Sequence, residues 1–190
     1  SVTSIGANAF CDRSGLTSVT IPESVTEIGY DAFSYCSGLT SVSIGEGVNY
    51  IGSWAFRGCS GLTSITIPEN VTEIEEGAFS DCNSLTTVNY NAANCTRMGY
   101  NEHSGYNTVF NECYNLTTLN IGENVQTIPA YAFSYCGLTS VTIPAGVTSI
   151  GSDAFSDCES LTSVTIPAGV TSIGSDAFSN CSGLTTVNYN

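Results

Sequence analysis

The sequence predicts a repeat solenoid, a right-handed coil of turns about 23 residues long stacked around one apolar core. Three observations carry this. Leucines fall at Leu16, Leu39, Leu62, Leu85, Leu116, Leu138, Leu161 and Leu184, spaced by 23, 23, 23, 31, 22, 23 and 23 residues. Phenylalanine repeats in the same rhythm at Phe10, Phe33, Phe56, Phe79, Phe110, Phe133, Phe155 and Phe178. Cysteine follows it three residues later at Cys36, Cys59, Cys82, Cys113, Cys136, Cys158 and Cys181. A single turn of this size cannot bury its own apolar face, so it must stack on its neighbours.

Each segment of a turn has its own signature. In Leu16-Thr17-Ser18-Val19-Thr20-Ile21 the apolar Val19 and Ile21 alternate with hydroxyl residues, the period of a half-buried strand. Such strands pair in parallel from turn to turn and form a sheet on the concave face. Pro22, repeated as Pro68, Pro144 and Pro167, has no N–H and ends the ladder. Val25 and Ile28 open a second short strand that Gly29 closes. Ala32, Phe33 and Cys36 then stand at i, i+1 and i+4, which predicts one short helix over residues 30–36 of each turn. Stacked at a strand spacing of about 4.8 Å, the array would be roughly 35–45 Å long. Period and leucine pattern make it a leucine-rich-repeat type of solenoid.

The array fills residues 1–190 as one unit. Seven full turns run from Leu16 to Gly183, a partial turn lies at each end, and residues 85–115 form a long irregular turn. Because neither partial turn carries a polar cap, the chain is expected to be a piece of a longer array.

Composition limits the partners. Lysine is absent, Arg13, Arg57 and Arg97 are the arginines, and His103 is the single histidine, against 17 acidic residues and a formal charge of −14. Such a surface repels nucleic acid and anionic membrane, and no apolar run reaches the roughly 18 residues of a membrane span. Chemistry finds little support. His103 has no cysteine or carboxylate at a ligand spacing, no phosphate loop or nucleophile elbow occurs, and Glu23, Glu27, Glu69 and Glu73 fall at solvent positions. A calcium site among Glu73, Glu75 and Glu76 lacks the alternating Asp/Asn ligands and fixed glycine of such loops. The chain is read as non-enzymatic, without cofactor or metal. The repeated cysteines read as a buried ladder of small apolar side chains, whereas Cys11 and Cys95, off that ladder, are the expected exposed thiols.

The motif LTSVTIPxxVTxIGxxAFxxC, nearly complete in the turns from Leu16, Leu62, Leu138 and Leu161, resembles the BspA-like leucine-rich-repeat family of bacterial surface proteins. The turn from Leu85 departs from the motif, and Arg13 stands where the cysteine would be. The resemblance implies a secreted or cell-surface protein of a host-associated bacterium and adhesion to host proteins, but it transfers no binding residue. Two functions are therefore expected: an adhesion or interaction scaffold for a protein or glycan, or a passive spacer presenting another, possibly catalytic, domain. The strand face, with Ser18, Thr20, Ser41 and Ser43 and their counterparts, is uniform and lacks the Trp, Tyr and Arg that dominate contact energies. The irregular turn has eight residues in excess of 23 and holds Tyr90, Arg97, Tyr100, His103 and Tyr106, the candidate binding residues. It is either such a site or a tolerated surface loop.

Overall fold

The computed structural model describes residues 1–99 and 108–190. Among these it contains sixteen strands of two alternating kinds, one of each per turn. The longer strands are β2 (Ser18–Ile21), β4 (Ser41–Ile44), β6 (Ser64–Ile67), β8 (Thr87–Tyr90), β10 (Thr118–Ile121), β12 (Ser140–Thr142), β14 (Ser163–Ile166) and β16 (Thr186–Tyr189). The two-residue strands are β1 (Ser4–Ile5), β3 (Glu27–Ile28), β5 (Tyr50–Ile51), β7 (Glu73–Ile74), β9 (Arg97–Met98), β11 (Thr127–Ile128), β13 (Ser149–Ile150) and β15 (Ser172–Ile173). All pairings are parallel, and Ile28 opposite Ile51 opposite Ile74 reproduces the 23-residue period as register. The chain is a parallel β-solenoid of leucine-rich-repeat type.

Threonine supports this stacking from outside the core. Thr40 donates its hydroxyl to the Thr17 carbonyl at 3.1 Å, and Thr72 donates to Asn49 at 3.0 Å, one turn earlier in each case. Inside, the phenylalanine rings stack nearly parallel, with centroids 5.2 Å apart from Phe33 to Phe56 and again from Phe56 to Phe79. Ile28, Leu39 and Ile51 close the core around them.

No helix follows the second strand among the described residues, which corrects the expected short helices. A helix sends each N–H beyond its first turn to the carbonyl four residues back, but here the donors alternate. Ala32, Ser34 and Cys36 bond back to Gly29, Asp31 and Phe33, while Asp31, Phe33 and Tyr35 bond across to Ser53, Ala55 and Arg57 of the next turn. The alternation needs left-handed backbone at Asp31 (φ 52°) and Tyr35 (φ 57°), a conformation that no helix tolerates. Ala32, Phe33 and Cys36 still all point inward.

The thiols form the expected buried ladder and bond across turns. Cys36, Cys59, Cys82, Cys113, Cys158 and Cys181 each donate to the carbonyl of a phenylalanine in the preceding turn, at 3.1 to 3.3 Å. A serine would add polarity and an alanine would lose the donor, so the weakly polar S–H suits this place. Burial pushes the Cys59 and Cys158 thiols up to about 12. Cys95 is a correction: it is buried, donates to the Arg97 carbonyl at 3.4 Å and has a raised pKa from loss of solvent. Cys11 alone is half-exposed. Iodoacetamide is therefore expected to modify native Cys11 first and to reach Cys59, Cys82 and Cys95 only on denaturation, as peptide mapping would read. Rapid native labelling of Cys59 would place that thiol outside the core.

The irregular turn leaves the long-strand ladder intact. Thr87 to Tyr90 pair in register with Thr118 to Ile121 across the 31-residue interval. One extra residue lies between β8 and β9, because Glu73 pairs with Arg97 at an offset of 24, and the other seven lie between Met98 and Phe110. The short-strand sheet stops here: β1-β3-β5-β7-β9 is one sheet and β11-β13-β15 is another.

Candidate interaction surface

Of the residues singled out in the irregular turn, Tyr90 is not on the surface. It occupies the column of Ile21 and Ile67, is 0% exposed, and meets Phe133 edge-on at 5.5 Å. Its phenol is held well above the ordinary range, first by burial and then by the neighbouring Cys95. Arg97 is exposed, but its guanidinium is engaged, donating to Glu73 at 3.0 Å and also to Glu75. Two carboxylates of the calcium candidate are thus occupied by an arginine, and among the described residues no group of three or more His, Cys, Asp or Glu side chains is arranged for a metal. Tyr100, His103 and Tyr106 lie outside the described residues.

The left-handed positions create a surface that the sequence reading missed. In every regular turn the residue before the alanine and the residue before the cysteine project from the same two columns on the outside of the coil. The first column carries Asn8, Asp31, Trp54, Gly77, Tyr131, Asp153 and Asp176; the second carries Asp12, Tyr35, Gly58, Asp81, Glu112, Tyr135, Asp157 and Asn180. Asp, Asn and Gly suit positive φ; tyrosine and tryptophan are strained there and persist only where packing holds them.

What holds them is the next turn. A Cβ at Gly58 would stand 2.6 Å from Tyr35 Cδ1, and one at Gly77 would collide with Trp54 Cδ1. Each ring therefore rests on the bare backbone of a glycine in its own column one turn along. Tyr30, beside this column, meets Trp54 edge-on with centroids 5.3 Å apart. The Arg57 guanidinium lies 5.5 Å from the Tyr35 ring centre and 5.9 Å from that of Trp54, and it bonds Asp81 through Nε at 3.0 Å. Tyr30 and Tyr35 keep 45% and 46% of their surface in solvent. The result is a fixed aromatic platform over two adjacent turns, bordered by Asp31, Glu76 and Asp81. Loss of solvent and then the Asp31 charge raise the Tyr30 phenol.

A second irregularity lies further along the same side. The corner Cys136-Gly137-Leu138 is one residue shorter than Cys113-Tyr114-Asn115-Leu116 before it or Cys158-Glu159-Ser160-Leu161 after it. The missing residue leaves an open notch lined by Tyr114, Tyr135, Gly137, Asp157 and Glu159, and Cys136 loses the cross-turn bond that the other ladder thiols make, turning to the Ser134 carbonyl at 3.6 Å.

A regular parallel coil with a phenylalanine spine and a thiol ladder defines a leucine-rich-repeat scaffold. The profile of the BspA type leucine-rich repeat region, in 6 copies, matches residues 1–107 and 103–190, and the chain belongs to that family. No curated protein matches it. Among solved structures it is similar to a leucine-rich repeat protein of Bacteroides ovatus, with 27% identity and a TM-score of 0.55 over 100% of this chain and 59% of that one. It is also similar to the leucine-rich repeat protein of T. pallidum, with 25% identity and a TM-score of 0.63 over 97% of this chain and 72% of that one. The chain therefore spans well under two thirds of the Bacteroides protein. No helix among the described residues is long and apolar enough to cross a membrane.

Proposed function

We propose that the chain is a non-enzymatic, secreted or surface-displayed interaction scaffold that holds a protein or glycan partner. The observation that carries this reading is the contrast between columns. Inward columns repeat Leu, Phe and Cys, whereas the two left-handed columns set Tyr, Trp, Gly, Asn and Glu among recurring Asp on the same backbone. A stiff frame that varies only its outward groups can bind with little ordering cost. The motif's likeness to bacterial surface proteins supports display outside the cell. Arg97, Tyr100, His103 and Tyr106 of the irregular turn belong to the proposal as a second contact region.

The near-uniform hydroxyl face of β2, β4, β6 and β14 favours a second reading, a passive spacer. Immobilised chain exposed to a panel of matrix proteins and polysaccharides separates the two. Saturable capture of at least one panel member is the result expected of a scaffold, and silence across the panel is the result expected of a spacer. Shortening residues 100–107 to a single residue restores between Met98 and Phe110 the five-residue interval seen from Ile74 to Phe79. That variant should keep its thermal midpoint, since the length of chain joining two fixed turns changes stability little, and lose affinity where the irregular turn takes part.

A further inference from the structure

We propose that the platform of Tyr30, Tyr35 and Trp54, with its rim of carboxylates, docks a lysine- and arginine-rich extended segment of a protein partner. This rests on the scaffold reading and assigns it a place and a chemistry. The rings are set before any partner arrives, because Tyr35 and Trp54 are wedged against Gly58 and Gly77, so binding need not freeze them. They already hold one cation. The Arg57 guanidinium, anchored by Asp81, lies within cation–π distance of both. The platform thus accepts a planar positive group against its aromatic faces, and half of the Tyr30 and Tyr35 surface remains for others.

Charge selects the occupant. Asp31, Glu76 and Asp81 surround the rings against the single Arg57, which leaves the rim two negative charges in excess. The whole chain, at −14, adds an attractive long-range field for a basic partner and a repulsive one for acidic proteins, nucleic acid or uronate glycans. A neutral glycan would gain from stacking on the rings but nothing from this field. The combination of fixed rings, an intramolecular cation on them and uncompensated carboxylates beside them therefore favours a basic polypeptide.

Trp54 is the single tryptophan of the chain, so its fluorescence reports on the platform directly. The probes are a short labelled peptide of alternating Lys, Arg and Ser, the same peptide with Glu in place of Lys and Arg, and a neutral N-acetylglucosamine oligomer. Binding is read by Trp54 emission and by anisotropy of the label. The basic peptide should change the emission saturably and bind less tightly as salt rises. Tyr35→Gly and Trp54→Gly should each weaken it by about tenfold. Both variants place glycine where the next turn already has Gly58 or Gly77, so they relax the positive φ and keep the fold, as circular dichroism would check. Asp31→Asn with Glu76→Gln should weaken the basic peptide and leave the oligomer unaffected. The inference is overturned if both glycine variants bind the basic peptide as the parent chain does, which would mean diffuse attraction to an acidic surface. It is equally overturned if the oligomer or the acidic peptide, and not the basic one, changes the emission. In either case capture of a panel member by the chain would still uphold the scaffold reading. Failure of both peptide and panel would remove the two together.

Discussion

Replacing Phe79 with alanine is expected to lower the stability of the array by about 3–5 kcal/mol. The ring is fully buried and stacked between Phe56 at 5.2 Å and Phe110 at 5.5 Å. Nothing nearby can close the cavity, because the turns on either side are fixed by their own bonds. Phe79 donates its N–H to Val109 at 2.9 Å, and its carbonyl accepts the Cys113 thiol at 3.1 Å. The position also lies where the short-strand sheet is interrupted between β9 and β11. There the ring stack, the thiol and the β8–β10 ladder carry the coupling between the two halves. Denaturant unfolding followed by circular dichroism should show both a lower midpoint and a broader transition, as expected when neighbouring repeats lose contact. Phe10→Ala provides the contrast, because Phe10 stacks on Phe33 alone, keeps 45% of its surface in solvent and should cost less. A loss below about 1 kcal/mol at Phe79 would contradict a rigid spine.

Alkaline pH is expected to unfold the array well before its backbone is otherwise challenged. Burial raises the thiols of Cys59 and Cys158 to about 12 from an ordinary value of 9.0. It also raises Cys95 and Cys136, while Cys82 is raised by its bond with Cys113 and by burial. The sign follows from proton counts. Below the unfolded value both states hold the thiol proton and the stabilisation is complete. Above it the unfolded chain ionises while the folded chain does not, so the folded state binds more protons and stability falls as pH rises. Each such thiol removes about 1.4 kcal/mol per pH unit, and five together remove several. Denaturant midpoints should thus be level from neutral pH to near 9 and drop steeply between there and 12. Cys59→Ala with Cys158→Ala should make that drop shallower. A midpoint that stays level to pH 11 would mean that these thiols ionise freely in the folded chain.

The period made most of the fold legible in the sequence, because a fixed repeat length is a register: Leu, Phe and Cys columns became spine and ladder without adjustment. The misread segments were those in which side-chain spacing had two backbone solutions. Ala32, Phe33 and Cys36 point inward from a helix and from alternating left-handed turns alike. The deciding signal is Asp31 and the Asp, Asn and Gly that recur at its counterparts and at those of Tyr35, residues that tolerate positive φ. Tyr90 belongs to the irregular turn in the sequence, yet its column, shared with Ile21 and Ile67, places it inside. Cys95 likewise stands in the column of Val25 and Val71, displaced by the one extra residue before β9. The platform was hidden for a different reason. Tyr35 and Gly58 are 23 residues apart, and only stacking makes one the seat of the other.

The backbone bonds that cross from turn to turn run along the long direction of the coil, and so do the thiol and threonine bonds. A pull on the two ends therefore loads them one behind another, as links in a chain, and the array yields one turn at a time. Folded, a turn adds only the 5.2 Å between successive rings. Released, its 23 residues reach roughly 75–80 Å. Held at both ends, such a coil is expected to lengthen in steps and to absorb work at each one.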